Sequence, residues 1–230
     1  MLPGPDQIIA CPQCGHLARR PTLSSGNTFH SVQWSDGRLE APMLPEYPDL
    51  TRCRGCRALY WIRDARQVGE VDCWHEDIED APQEWQVAER VDEPGLDEYA
   101  DALEAQMATD RDDELFLRIR YWWLFNDPQR EEQSLAERGS GRRKRRNKKV
   151  LAISEKHASR MEANLERLAK LLDARKPPER IMKAEIARQT GRLDQAIALL
   201  EKCPAGLREY SDQILVFARD GDRVVRPLSD

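Results

Sequence analysis

The sequence predicts an α+β chain in which a small β-rich N-terminal module is followed by an all-helical C-terminal region built from helical hairpins. Three observations predict it. Two Cys-x-x-Cys pairs, Cys11/Cys14 and Cys53/Cys56, bracket a stretch of turn signals and alternating residues. From Leu96 onward, apolar residues recur at three-four spacing. Charge is segregated along the chain: residues 1–69 carry a net +2, residues 70–114 a net −16 and residues 115–230 a net +9. These shifts suggest boundaries near 69 and 95, giving a module at 1–69, an acidic linker at 70–95 and a helical region at 96–230.

Two thiolates separated by two residues on a tight turn can face one ion, and amide groups of the turn stabilise the sulfurs. In Cys11-Pro12-Gln13-Cys14-Gly15, Pro12 presets the turn and Gly15 supplies a positive φ on leaving it. In Cys53-Arg54-Gly55-Cys56 the glycine lies inside the turn. Four sulfurs make a closed tetrahedral shell, so the expectation is one structural zinc ion per chain on Cys11, Cys14, Cys53 and Cys56. A redox dithiol would need only one pair. His16 follows the first turn as an exposed residue or an outer support for the ligands, and Cys73 with His75 offers an alternative ligand pair.

On these residues, about 8–63, the chain resembles the zinc ribbon family, in which two such knuckles at the ends of β-hairpins clamp one zinc ion. It departs from that pattern in the 38 residues between Cys14 and Cys53. This insertion carries the hairpin turn signals Gly26-Asn27 and Asp36-Gly37, with a strand-like stretch between them, and then a proline-rich segment. Ala58 to Ile62 reads as a strand beside the second knuckle.

The acidic stretch from Glu70 to Pro94 holds Trp74 and Trp85 among its carboxylates and reads as a linker that packs in places. Leu96, Tyr99, Ala100, Leu103 and Met107 mark one helix, and Leu115, Ile119, Trp122 and Trp123 a second that Asn126-Asp127-Pro128 is expected to end. The aromatic segment RIRYWWLF, residues 118–125, is read first as a core face; stacking on nucleobases is the other possibility. A basic run, 138–149, has eight bases and no acid. Its Arg142, Arg143, Lys144, Arg145, Arg146, Lys148 and Lys149 suit a solvated loop, an arm that contacts phosphates, or a segment that docks on the acidic middle.

From Val150 a regular helix places Met161, Leu165, Leu168 and Leu172 on one face, ended by Pro177-Pro178. The phrase AEIARQTGRLDQAIALLEKCP resembles the tetratricopeptide pattern, with Ala184, Ala187, Gly191, Ala196, Ile197 and Leu200 in the small-residue and turn positions. The early aromatic is missing and the proline comes too soon. A single repeat needs neighbours, supplied by the preceding helices and by Leu207 to Ala218. Cys203 reads as a small core residue in an apolar helix. Taken together, the chain resembles an uncharacterised bacterial type that joins a ribbon bearing SGNTF and WSDG phrases to a tetratricopeptide-like tail. That resemblance brings no activity with it.

No run is long and apolar enough for a membrane span, no export signal precedes the first cysteine, and the paired thiols suit a reducing cytoplasm. The expected role is a non-enzymatic adaptor with a protein partner. The alternative is a nucleic-acid-binding protein that uses the ribbon, the arginines Arg52, Arg54 and Arg57, and the run 142–149. Four histidines without metal-site spacing, and no phosphate loop or nucleophile elbow, give an enzyme little to work with. Convergence of Asp36 with His30 or His75 would be needed to change that.

Overall fold

The structure, a computed structural model, describes residues 1–72, 81–137 and 143–229, with side chains except at 134–137 and 143–154. Cys73, His75 and Arg142 lie outside the described residues. The fold is α+β and divides into two units, Met1–Ser31 with Ala41–Glu98, and Val32–Glu40 with Tyr99–Asp230.

In the first unit, β2 (Asp6–Ala10) lies between β3 (Leu17–Arg20) and β9 (Arg66–Val71) in an antiparallel sheet. A central strand covered on both faces loses the usual alternation, and Ile8, Ile9 and Ala10 are all buried. Pairing with β9 slips by one residue between Ile8 and Ile9. Next to the slip, Gly69 leaves room for the Trp85 ring, which a β-carbon there would strike at 2.0 Å. The short helix α1 (Gln83–Gln86) carries that tryptophan, and the chain after it runs along β3, with Arg19 donating to the carbonyls of Trp85 and Gln86. The described part of the acidic stretch is thus packed on the sheet.

A second hairpin pairs β7 (Leu50–Arg52) with β8 (Leu59–Trp61), the strand expected beside the second knuckle. The Gly26-Asn27 signal does not make a hairpin. The strand before it, β4 (Leu23–Ser25), pairs instead with β1 (Leu2–Pro3), and Gly26 is small because the Met43 carbonyl would meet a β-carbon at 2.5 Å. Asp36-Gly37 does make one. It joins β5 (Val32–Trp34) to β6 (Leu39–Glu40) through residues 35–38, where the Trp34 amide donates to the Arg38 carbonyl at 2.8 Å and Gly37 takes the left-handed φ of +86°.

That hairpin belongs to the helical unit, where β5 also pairs with β10 (Pro227–Leu228). The unit comprises most of α2 (Leu96–Glu104), then α3 (Arg111–Glu137), α4 (Arg143–Leu171), α5 (Pro177–Gln189), α6 (Leu193–Leu200) and α7 (Arg208–Arg219). Asp110 caps α3 by accepting from the Asp113 amide, while Asp113 accepts from Thr109 in return. Met161, Leu165, Leu168 and Leu172 are buried on or just after α4, as the spacing predicts, but in α3 only Trp122 of the expected set is buried; Leu115, Ile119 and Trp123 are partly exposed and the buried face runs through Leu117 and Tyr121. RIRYWWLF is a core face at Tyr121 and Trp122.

Contrary to expectation, Pro128 does not end α3, which runs to Glu137. Proline removes one donor and crowds a carbonyl of the preceding turn. Here the Trp123 carbonyl accepts from Arg130 at 2.8 Å, and Arg130 is itself held by Asp127 and Asp36. Of these contacts the Asp36–Arg130 pair ties the turn that follows Pro128 to the β5–β6 hairpin, and the helix continues through the proline. The backbone of Arg143 to Lys149, expected in a loop, belongs to α4.

Packing at the tip of the β5–β6 hairpin is ionic. Ser35 donates to Glu185 at 2.7 Å, and Glu185 is forked by the Nε and Nη2 of Arg188 at 2.7 and 2.6 Å. Asp36 accepts from Asn126 at 2.8 Å and from Arg130. Glu185, Arg188 and Asp36 have no exposed surface. Burial pushes Asp36 up to about 6, against the pull of Arg130 and Asn126. Removing one member of such a pair strands the other charge, at a cost of about 3–5 kcal/mol.

Nearer the surface, hydrogen bonds from Arg167 and Arg118 hold the Glu114 carboxyl down to about 2, below its ordinary 4.5. A depressed carboxylate contributes stability that is complete above the unfolded value and is lost as pH falls toward the folded one. Arg167 is half exposed, so solvent screening reduces the contribution to about 1 kcal/mol. Glu114→Gln is expected to cost that much at pH 7 and to leave no such loss between pH 4.5 and 2, as checked by denaturant titration across pH. An unchanged acid limb in the variant contradicts the assignment.

Candidate metal centre

The two knuckles have one backbone design. β2 leads into Cys11 and β3 leaves after Gly15 and His16, while β7 leads into Cys53 and β8 leaves after Arg57 and Ala58. In the first, the Gly15 amide donates to the Cys11 carbonyl and the Cys11 amide to that of His16, both at 2.9 Å. In the second, the Arg57 amide donates to Cys53 at 2.9 Å and the Cys53 amide to Ala58 at 2.8 Å. The residue that leaves each turn has a positive φ, +75° at Gly15 and +65° at Arg57. Glycine adopts that conformation freely, whereas arginine is strained in it.

These turns bring all four Sγ atoms within 4.8 Å of one another. Cross-knuckle separations are 3.6 Å for Cys14–Cys53 and 3.9 Å for Cys11–Cys56. A tetrahedron with metal–sulfur bonds of about 2.3 Å has edges of about 3.8 Å. The cysteines are free thiols, since a disulfide would bring its sulfurs to about 2.05 Å.

Cys11 and Cys53 are buried against Tyr60, while Cys14 and Cys56 face outward. Their electrostatics are strained in a telling way. Despite burial, amides of the second turn and the sulfurs of Cys11 and Cys14 hold Cys53 down to about 7. Cys14 has the His16 amide in its favour but is pushed up to about 12 by the Cys56 sulfur, by desolvation, and by Cys53 and Cys11. Repulsion from the neighbouring sulfurs opposes a thiolate at Cys14, and a cation at the centre of the four would relieve it. The donor set fits a metal ion.

No family model, curated protein or solved structure matches the chain. The geometry of the shell therefore carries the functional reading.

The remaining candidate residues are placed as follows. His16 is exposed and its ring lies 3.0 Å from where a β-carbon on Gly55 would be, so the two knuckles touch at a glycine. Arg52 bonds Glu98 at 3.0 Å, and Arg54 bonds Glu89 and, at 2.6 Å, Asp92. The Arg57 carbonyl accepts from the Arg52 guanidinium at 2.7 Å. Arg142 lies outside the described residues, as do the side chains of Arg143, Lys144, Arg145, Arg146, Lys148 and Lys149. Asp36 is committed to Asn126 and Arg130, and His30 is exposed in the other unit. His157 is buried, with Tyr121 at 2.8 Å from its Nδ1. Cys203 is buried one turn beyond α6 rather than within it. Among the described residues no helix is long and apolar enough to cross a membrane, and no second cluster of metal-binding side chains occurs.

The repeated turn yields a sharp expectation. Arg57→Gly is expected to raise stability by about 0.5–1 kcal/mol as strain is relieved, and Gly15→Ala to lower it by about 1 kcal/mol. Thermal unfolding of the metal-loaded protein checks both. A destabilised Arg57→Gly would show that the arginine side chain does more than tolerate its turn.

Proposed function

We propose that the chain is a non-enzymatic adaptor in which a structural zinc ion, one per chain, fills the four-cysteine shell. The closure of that shell carries the proposal: four protein sulfurs leave a tetrahedral ion no position for water or substrate. Soft thiolates in tetrahedral array favour zinc or iron, and a lone ion without redox partners favours zinc. The reduced state of the cysteines suits a cytoplasmic setting.

A protein partner is supported by the helical hairpins. Gly191, at φ +78°, turns α5 into α6, while the small buried Ala184, Ala187 and Ala196 let helices approach closely, with α7 packed against α6. Such small-residue packing about a glycine turn supports a tetratricopeptide-like reading, and arrays of that kind present surfaces that bind other chains. The nucleic-acid alternative loses part of its support in the ribbon, because Arg52 and Arg54 are already neutralised by Glu98, Glu89 and Asp92. It then rests on residues 142–149.

Metal analysis of purified protein is expected to return one zinc per chain, and none after Cys14→Ser with Cys56→Ser. Iron, or no metal, would reject the zinc assignment. Affinity capture at natural expression levels is expected to recover a stoichiometric protein partner, and gel shifts at low salt to show no retained DNA or RNA. Retention that disappears when the bases of 142–149 are replaced by serine would favour the nucleic-acid role instead.

A further inference from the structure

The chain between the two cysteine pairs does not stay in their unit. It leaves after Ser31, contributes Val32–Glu40 to the helical unit, and returns at Ala41. This visit is anchored at two buried points. Ser35 donates to Glu185 and accepts from the Arg226 amide at 3.0 Å, with its own amide bonded to the Arg226 carbonyl at 2.8 Å. Asp36 compensates the charge of Arg130, and its carbonyl accepts from the Trp123 indole at 3.1 Å. Gln33 and Trp34 add the ladder to β10.

We infer that metal occupancy of the four-cysteine shell is coupled through the chain to the stability of the helical unit, because the shell clips together both ends of the loop that carries the β5–β6 hairpin. The inference rests on the metal reading of that shell.

Polymer statistics supply the reason. While the first unit is folded, the flanks of the hairpin emerge from an ordered body, and little free chain separates Glu40 from α2. When loss of the ion unfolds that unit, docking the hairpin must close a free loop that spans residues 41–98. Closure probability falls as about the 3/2 power of length, so a loop about five times longer makes docking about tenfold less favourable. An undocked hairpin is not silent. It leaves the Arg130 guanidinium buried without Asp36, and Glu185 without the Ser35 hydroxyl. Coupling of this kind is reciprocal, so loosening the hairpin must also weaken the hold on the ion.

The experiment is hydrogen exchange on the full chain, metal-loaded and after chelation, with the kinetics of metal release to a chromophoric chelator measured alongside. On chelation, peptides covering 32–40, 184–189 and 222–228 are expected to exchange about tenfold faster. Ser35→Ala and Asp36→Asn are expected to release metal several-fold faster than the parent. If Asp36→Asn fails to fold, Ser35→Ala decides alone, since it removes hydrogen bonds but no charge. Faster exchange confined to 1–31 and 41–98, with parental release kinetics in Ser35→Ala, overturns the coupling and leaves the metal reading intact. Protein that contains no metal as purified overturns both.

Discussion

Four cysteine sulfurs within one bond-tetrahedron of each other is the constraint on which the first unit depends. Without a cation the sulfurs interfere with one another's ionisation: Cys53 is held down to about 7 while Cys14 is pushed up to about 12. With a dication, four thiolates become a closed shell in which the ion offsets much of their mutual repulsion. The apolar cluster at the site is small, consisting of Cys11, Cys53 and Tyr60 with Ala65 against it. An ion bound there would add its binding energy to the folding of the first unit.

The second unit is held differently. Its helices pair over Leu117, Tyr121, Trp122, Leu165 and Leu168, and over the small residues of α5 and α6. Set into this apolar interior is the ionic seat for the β5–β6 hairpin. Buried charges cost several kcal/mol each when moved from water, and geometry must repay them. Here Glu185 is met by Ser35, Gln189 and both arms of the Arg188 fork, and Arg188 also donates to the Asp222 and Val224 carbonyls. Such a seat accepts one hairpin in one register, because a slip of one residue would remove both Ser35 and Asp36 from their partners.

Much of this was legible in the residues. Ligand spacing gave the cysteine cluster, three-four spacing gave the buried face of α4 but only Trp122 of that of α3, and Asp36-Gly37 gave its hairpin. What could not be read was long-range pairing. Ser35 and Glu185 are 150 positions apart, and Glu185 and Arg188 look like an ordinary exposed i,i+3 pair. One local sign was available: they interrupt Ala184, Ile186 and Ala187, so the whole run from 184 to 188 is buried. Pro128 misled for the same reason: Arg130, two residues on in the same helix, is gripped by Asp36, 94 positions away. At Gly26 the local signal was real but its cause was close approach of the Met43 backbone, not a turn.

The central claim is that four sulfurs share one ion. X-ray absorption at the zinc edge of the purified protein tests it most directly. The predicted result is a single shell of four sulfur scatterers at about 2.3 Å. Nitrogen or oxygen scatterers near 2.0 Å in place of any sulfur, or no zinc edge at all, would contradict it.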